Sequence, residues 1–197
     1  YLMKVCSCGL LGDVGVISFN GNKLITTGGG GVLITNNPEI AKLSRHLSTT
    51  AKLKHQWEFD HDYIAWNDRL PNINAALGLA QLELIKERLE SKKNLLNKYK
   101  EIFKPIKEIS LLNPIKNSIS NNWLITLQFN SDKINKIKVE RQELLRKAFD
   151  KNISLRPIWK PLHKLSFYEK TPRGSLKCAE NLEYKIINIP SSPQLLI

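Results

Sequence analysis

Ser18-Phe19-Asn20-Gly21-Asn22-Lys23, followed by the glycine run Gly28 to Gly31, is the stretch that decides how the rest of the chain reads. Val14 to Phe19 (VGVISF) is a short apolar run with β-branched residues, the pattern of a strand. Leu24 to Thr27 and Gly31 to Thr35 flank the glycines and read as two strands joined by a tight return. Lys23 therefore stands just after one strand and just before a glycine turn. A lysine there can be held rigidly and partly desolvated. Desolvation favours the neutral amine, and a neutral amine can attack a carbonyl to form a Schiff base. On the residue alone, an exposed loop lysine is the stronger reading, since the chain carries 30 Lys and Arg. The glycines exclude two cradles. Gly31 is followed by Val32-Leu33 and not by Lys-Ser/Thr, so there is no P-loop, and Gly9, Gly12 and Gly15 have the wrong spacing for a dinucleotide fingerprint.

Outward from this stretch the chain alternates in type. Asn36-Asn37-Pro38-Glu39 starts a helix that runs from Glu39 to about Leu47. Residues 48–71 mix aromatic, acidic and histidine residues without a period and read as a long ordered loop, a kind that tends to carry function. Asn72 to about Phe103 is strongly helical, with Ala75, Ala76, Leu79, Leu82, Ile85, Leu89 and Leu96 at helical spacing. The small residues at 75, 76, 78 and 80 predict close packing of one face. Pro105 and Pro114 bracket a linker. A strand (Trp123 to Phe129), a helix (Lys138 to Asp150), a strand (Ile153 to Ile158), a helix (about Gly174 to Leu182) and a closing strand (Ile186 to Ile189) follow. This layout predicts an α/β chain in two parts, residues 1–85 and residues 86–197.

Composition narrows the class. The 197 residues are 42% hydrophobic and 24% charged, as in a soluble globular protein. The net charge is +12, but the lysines are spread along helices and form no compact basic block, which reads as solvated surface in a Lys-, Asn- and Ile-rich chain. No nucleic-acid motif is present and no apolar run approaches a membrane span, so neither nucleic acid nor membrane is expected as a partner. Cys6, Cys8 and Cys178 make neither a disulfide framework nor a zinc set, which fits a reducing, cytoplasmic setting. His55, Glu58, Asp60, His61 and Asp62 crowd one stretch, yet match no metal-ligand spacing; no metal is expected. The opening Tyr1-Leu2-Met3-Lys4, without an initiator Met, suggests a piece of something longer.

Taken together, the ordered motifs resemble the DegT/StrS-type nucleotide-sugar aminotransferases. They are Ser18 to Lys23 with Thr27 to Gly31, Arg45-His46-Leu47, His61 to Leu70 (HDYIAWNDRL), Asn72 to Leu82 (NINAALGLAQL), Arg156 to His163 (RPIWKPLH) and Ile189-Pro190-Ser191-Ser192. The similarity covers essentially the whole chain, and the wording is nearest to the branch making 4-amino sugars. The resemblance implies the C-terminal part of a pyridoxal-phosphate-dependent transferase fold. Residues 1–85 would be the remainder of the large cofactor-binding domain, and 86–197 a connecting helix and small C-terminal α+β domain. It implies pyridoxal 5'-phosphate as cofactor. Lys23 matches the Schiff-base lysine and proton shuttle, and Ser18 a hydroxyl on the cofactor phosphate. Asn67 matches an amide that reaches the phosphate from the neighbouring subunit of a homodimer. Trp159 and His163 match positions near the sugar nucleotide.

The implied reaction moves an amino group, from glutamate, to a keto sugar on a nucleoside diphosphate in cell-surface amino-sugar biosynthesis. A sugar dehydratase of the same family carries histidine in place of the lysine, so Lys23 favours transamination. A non-catalytic truncated remnant is the other alternative. The aromatic that stacks on the cofactor ring, the Asp that pairs with its nitrogen and further phosphate ligands fall upstream of Lys23 in that family. The chain also departs from the pattern at Ala65, where the family has glycine, and at Asp68, where it has an aromatic.

Overall fold

The computed structural model describes residues 8–196. The opening Tyr1-Leu2-Met3-Lys4 and Cys6 lie outside them. The chain divides into two compact units, one ending at Ile85 and the other beginning at Lys86.

In the first unit, β1 (Gly15–Ser18) pairs antiparallel with β2 (Gly31–Ile34), with Ser18 opposite Gly31. The expected strand at Leu24 to Thr27 does not form. The carbonyl of Phe19 accepts both the Thr27 N–H and the Thr26 hydroxyl, each at 3.0 Å, so the segment folds back across the end of β1. Gly28 and Gly30, both at φ +81°, complete the return in a conformation that favours glycine.

Helix α1 (Pro38–Leu47) follows the sequence signals. Asn37 caps it, its side chain accepting from the N–H groups of Glu39 (2.9 Å) and Ile40 (3.3 Å). Pro38 occupies the first turn, and Arg45 and His46 sit in the last, where the helix dipole favours positive charge. The expected single helix from Asn72 to Phe103 is two: α2 (Asn72–Glu83) and α3 (Ile85–Phe103). The break falls at Leu84, whose ψ of 6° leaves the helical range. Of the small residues in α2 only Gly78 is buried; Ala75, Ala76 and Ala80 are exposed.

The second unit is a four-stranded antiparallel sheet in the order β3-β4-β6-β5: Ile109–Leu111, Ile125–Phe129, Ile186–Ile189 and Arg156–Pro157 in that order. β3 lies inside the stretch read as linker. β5 is only two residues of the six expected. Helices α4 (Ile134–Asp150) and α5 (Lys177–Lys185) each differ at the start, α4 earlier and α5 later than read. Gly174 stays outside α5, whose first turn is closed by the Glu180 N–H on the Leu176 carbonyl. β6 lies between two partners, and all four of its residues are buried. Its one polar residue, Asn188, accepts from the Thr126 hydroxyl at 2.8 Å, which satisfies a buried amide oxygen.

Leu95 and Leu96 of α3 pack on Ile125, Leu127 and Ile189, with Tyr99, Phe103, Ile109, Leu111 and Leu155 around them. The spacing of 92, 95, 96, 99 and 103 puts this face of α3 on one stripe. Lys92 belongs to that stripe and is buried, a costly place for an ammonium. Its Nζ donates to the carbonyls of Trp123 (3.0 Å) and Ser191. The Tyr99 hydroxyl donates to the Pro190 carbonyl at 3.0 Å, and Ser191 Oγ accepts from the Ile125 N–H at 2.9 Å. The closing Ile189-Pro190-Ser191-Ser192 is thus tied to α3 and to β4.

Candidate active site

Lys23 sits in the turn directly after β1. Its backbone N–H donates to the Asn20 carbonyl at 3.0 Å, closing the turn over 20–23, and the residue is half-buried. The platform beneath it is rigid for a local reason. Phe19 N–H donates to the Gly30 carbonyl at 3.0 Å while the Phe19 carbonyl holds both Thr26 and Thr27. Both ends of the 12-residue connection are therefore fixed on one residue.

Helix α2 supplies the rest. Gln81 exchanges two hydrogen bonds with the main chain of Thr26, and Asn74 Nδ2 donates to the Thr27 carbonyl at 2.5 Å. Between them Gly78 lets Thr27 approach: a Cβ there would stand 2.8 Å from Thr27 Cγ2. Thr27 is 1% exposed. The spacing 74, 78, 81 is one helix face, and this was the signal available in the sequence for three residues that meet Thr26 and Thr27, after the Lys23 turn. The small-residue reading of α2 found Gly78 but not Asn74 or Gln81.

Ser18, the last residue of β1, is five positions before Lys23 on the same hairpin. Its Oγ accepts from the Asn20 N–H at 3.3 Å. The structure thus puts Ser18 and Lys23 at the two ends of one tight segment.

Asn67 is exposed on the loop between α1 and α2, in an isolated bridge with Thr49. Trp66 N–H donates to the Leu47 carbonyl (3.1 Å) and Asp68 N–H to the Ser48 carbonyl (3.0 Å). These are main-chain contacts, so neither Ala65 nor Asp68, the two departures from the family pattern, removes them. The acidic and histidine residues of this loop are dispersed. His55 Nδ1 accepts from the Glu58 N–H at 3.0 Å, His61 Nδ1 lies 2.7 Å from the Thr50 carbonyl, and Asp62 pairs with His46.

Trp159 and His163 belong to the second unit. Trp159 is exposed, with the Arg156 guanidinium 4.0 Å from its ring centroid, a cation–π contact. His163 Nε2 is 2.9 Å from Glu180 Oε1 of α5. Next to it Lys164 pairs with Glu183 at 2.5 Å, and that hydrogen bond holds the Lys164 ammonium pKa above its usual value. A cavity of about 650 Å³ opens beside His163, lined also by Lys160, Phe167 and Arg173.

Known proteins resemble this chain in sequence and in fold. The model of the DegT/DnrJ/EryC1/StrS aminotransferase family matches residues 4–196. The putative pyridoxal phosphate-dependent aminotransferase EpsN of Bacillus subtilis (strain 168) is 32% identical over 193 residues, which are 95% of this chain and 47% of that protein. GDP-perosamine synthase of Escherichia coli O157:H7 is 32% identical over 188 residues, 95% of this chain and 49% of the relative. Among solved structures, Helicobacter pylori PseC, an aminotransferase involved in the biosynthesis of pseudoaminic acid, superposes with a TM-score of 0.87 at 25% identity, covering 98% of this chain and 51% of that one. The chain spans about half the length of the curated relatives it matches. Its fold is the α/β fold of the C-terminal part of pyridoxal-phosphate-dependent sugar aminotransferases, and pyridoxal phosphate is the cofactor of that group. With the family model matching nearly end to end, the chain belongs to the DegT/DnrJ/EryC1/StrS aminotransferase family.

Proposed function

We propose that the chain is the second half of an aminotransferase that moves an amino group from glutamate to a keto sugar carried on a nucleoside diphosphate, for cell-surface amino-sugar biosynthesis. In this reading residues 1–85 are the remainder of the large cofactor-binding domain, and 86–197 the connecting helix and small C-terminal domain. The enzyme works as a homodimer in the cytoplasm; the exposed free thiol of Cys178 suits a reducing compartment.

The residues present suit pyridoxal phosphate in their chemistry. An amine on a pinned turn, with a hydroxyl five positions earlier at a strand end, is a donor set for an aldehyde and a phosphate on one small molecule. When bound, the cofactor would supply an electron sink for the amine-bearing carbon of the substrate. Lys23 Nζ would hold it and would carry the proton to and from that carbon. Ser18 Oγ donates to the phosphate, and the Asn67 amide reaches the phosphate of the neighbouring subunit. Trp159 and His163 would bind the sugar nucleotide.

The observation that carries the reading is the double fixing of Lys23. Its turn is closed on Asn20, and the segment after it is clamped by Phe19, Asn74 and Gln81. A lysine held this way is pre-placed for one carbonyl. The test is to mix the chain with pyridoxal 5'-phosphate, reduce with borohydride and locate the pyridoxyl group by peptide mass, with Lys23→Ala as control. The reading expects one adduct, on Lys23. Adducts scattered over many lysines, or none, would mean that this chain alone is not a competent enzyme, and the same outcome with the full-length protein would overturn the reading.

A non-catalytic remnant has one observation in its favour. Val16, Ile17, Val32 and Leu33 of the β1–β2 hairpin are all exposed, as are Ile73, Leu79 and Leu82 of α2. A chain that leaves so much apolar surface open needs a cover before it can turn over substrate. The same experiment separates the readings, since a remnant has no reason to select Lys23.

A further inference from the structure

The end of α1 and the loop that follows it share a hydrogen-bonded side-chain pair that the proposed chemistry does not use. His46 Nε2, in the last turn of α1, is 2.6 Å from Asp62 Oδ1. An ionised carboxylate can only accept, so Nε2 carries the hydrogen. The Tyr63 ring meets the His46 ring edge-on with centroids 6.3 Å apart. The main chain of His46 is engaged as well. Its carbonyl accepts the N–H groups of Thr49 (3.1 Å) and Ala51 (3.0 Å).

Around that pair the chain takes an unusual course. Thr50 (φ 64°) and Ala51 (φ 49°) are consecutive non-glycine residues in the left-handed region, each at a cost of about 1–2 kcal/mol. This turn brings 48–52 alongside 60–68. Leu53 N–H donates to the Asp60 carbonyl (2.8 Å), Asp62 N–H to the Ala51 carbonyl (3.3 Å), and Thr50 N–H to the Trp66 carbonyl (2.8 Å). Thr49 bridges Asn67. Asp62 and Asn67 thus stand on the same short return, five residues apart.

Little else holds this return within its own unit. Trp57, Phe59, Tyr63, Ile64 and Trp66 are all exposed, Ile64 at 96%. Ala51 is the one residue of 48–68 that is fully enclosed. Without an apolar core of its own, the loop depends on main-chain bridges and, among the described residues, on two side-chain contacts from its 60–68 segment to helix α1, the His46–Asp62 hydrogen bond and the Tyr63 ring against His46. The His46 and Asp62 side chains are 28% and 38% exposed, partly withdrawn from solvent, where the hydrogen bond between them competes less with water than on an open surface.

We propose that His46 and Asp62 are positioning residues that lock the 60–68 return onto the end of α1, so that Asn67 presents its amide in one orientation to the cofactor phosphate of the neighbouring subunit. The proposal rests on the reading of Asn67 given above. Neither residue touches the reacting atoms; both act through the backbone that carries Asn67.

The test is a double-mutant cycle on cofactor affinity in the holoenzyme, with Asp62→Ala, Asn67→Ala and the pair combined, read from pyridoxal 5'-phosphate absorbance. Asp62→Ala and Asn67→Ala should each weaken binding about tenfold, and the double variant no more than Asn67→Ala alone, because a loop that no longer presents an amide has nothing left to lose. Asp62→Asn retains an oxygen to accept from Nε2–H and should recover most of the affinity, which general loss of fold would not permit. Asp62→Ala without effect beside a damaging Asn67→Ala, or a double variant weakened about a hundredfold by simple addition, would overturn the positioning role and leave the Asn67 reading intact. A silent Asn67→Ala sinks the phosphate reading itself, and the positioning role with it.

Discussion

The side-chain amide of Gln81 pairs with the main chain of Thr26 as a neighbouring strand would: Thr26 N–H donates to Oε1 at 3.2 Å, and Nε2 donates to the Thr26 carbonyl at 3.0 Å. One helix side chain therefore does the work of a missing ladder at the point where the lysine segment turns back. Gln81→Ala leaves a part-buried N–H and carbonyl without these partners, at a cost of about 1–3 kcal/mol. Denaturant unfolding should show that loss. Amide exchange at Lys23 and Thr27 should quicken with it, and unchanged exchange there would mean that the turn does not depend on Gln81.

Gly78→Ala sets two effects against each other. Alanine in place of glycine favours a helix by about 1 kcal/mol. The new Cβ, however, would stand 2.8 Å from Thr27 Cγ2, and forcing that contact costs about 1–3 kcal/mol. The net outcome expected is a loss of stability. Thr27→Ser removes Cγ2 and keeps the hydroxyl that donates to the Gly29 carbonyl. Alone it should destabilise, because Thr27 is buried; in the Gly78→Ala background it should stabilise. That reversal of sign, measured by thermal unfolding, is the check.

Lys92 makes stability depend on pH in an unusual direction. Burial pushes its pKa from 10.5 down to about 8. Below pH 8 the folded and unfolded chains both carry the proton, and the folded one bears the full cost of a buried charge. Between about 8 and 10.5 the unfolded chain holds more of the proton, so this residue's contribution to stability improves as pH rises. The gain is at most about 3 kcal/mol. Lys92→Met should flatten that part of the stability curve relative to the parent, while also leaving the Trp123 and Ser191 carbonyls without their donor. Parallel curves over this range would refute the assignment.

Thr50 is β-branched and sits at φ 64°. Thr50→Gly removes a conformational penalty of about 1–2 kcal/mol, offset in part by the greater freedom of glycine in the unfolded chain. A modest rise in the melting temperature is expected. A fall would show that the Thr50 side chain contributes more to the loop than its backbone strain costs.

The sequence carried the local elements well where side chains announce them. The β-branched run before Lys23 is a strand, and Asn37-Pro38-Glu39 starts a helix because an amide cap and a proline act within one turn. It misled where the deciding contact is remote. Nothing in Leu24 to Thr27 reveals that Thr26 will be claimed by Gln81, so a β-branched stretch read as a strand that never forms. The helix break at Leu84 has neither glycine nor proline to mark it, and α4 begins after Lys133, which offers no side-chain cap. β3 is three residues in a stretch bracketed by prolines, and its pairing with β4 is set by the core. For the candidate site, Ser18 and Lys23 were singled out through the family resemblance of their segment, and the structure places both on one hairpin. The supports at Asn74, Gln81, His46 and Asp62 were not singled out for that role, because they act across 16 to 55 residues.

The two-stranded ribbon of β1 and β2 has a practical corollary. Among the described residues each of these strands has a single partner, so both outer edges present unpaired main-chain groups, flanked by valine, isoleucine and leucine side chains. Such edges invite strand-to-strand self-association. Opposing this is mutual repulsion between molecules of net charge +12. Salt shortens the reach of that repulsion to about 10 Å at 0.1 M and leaves the edges untouched. The isolated chain should therefore stay dispersed in dilute buffer and precipitate as ionic strength rises.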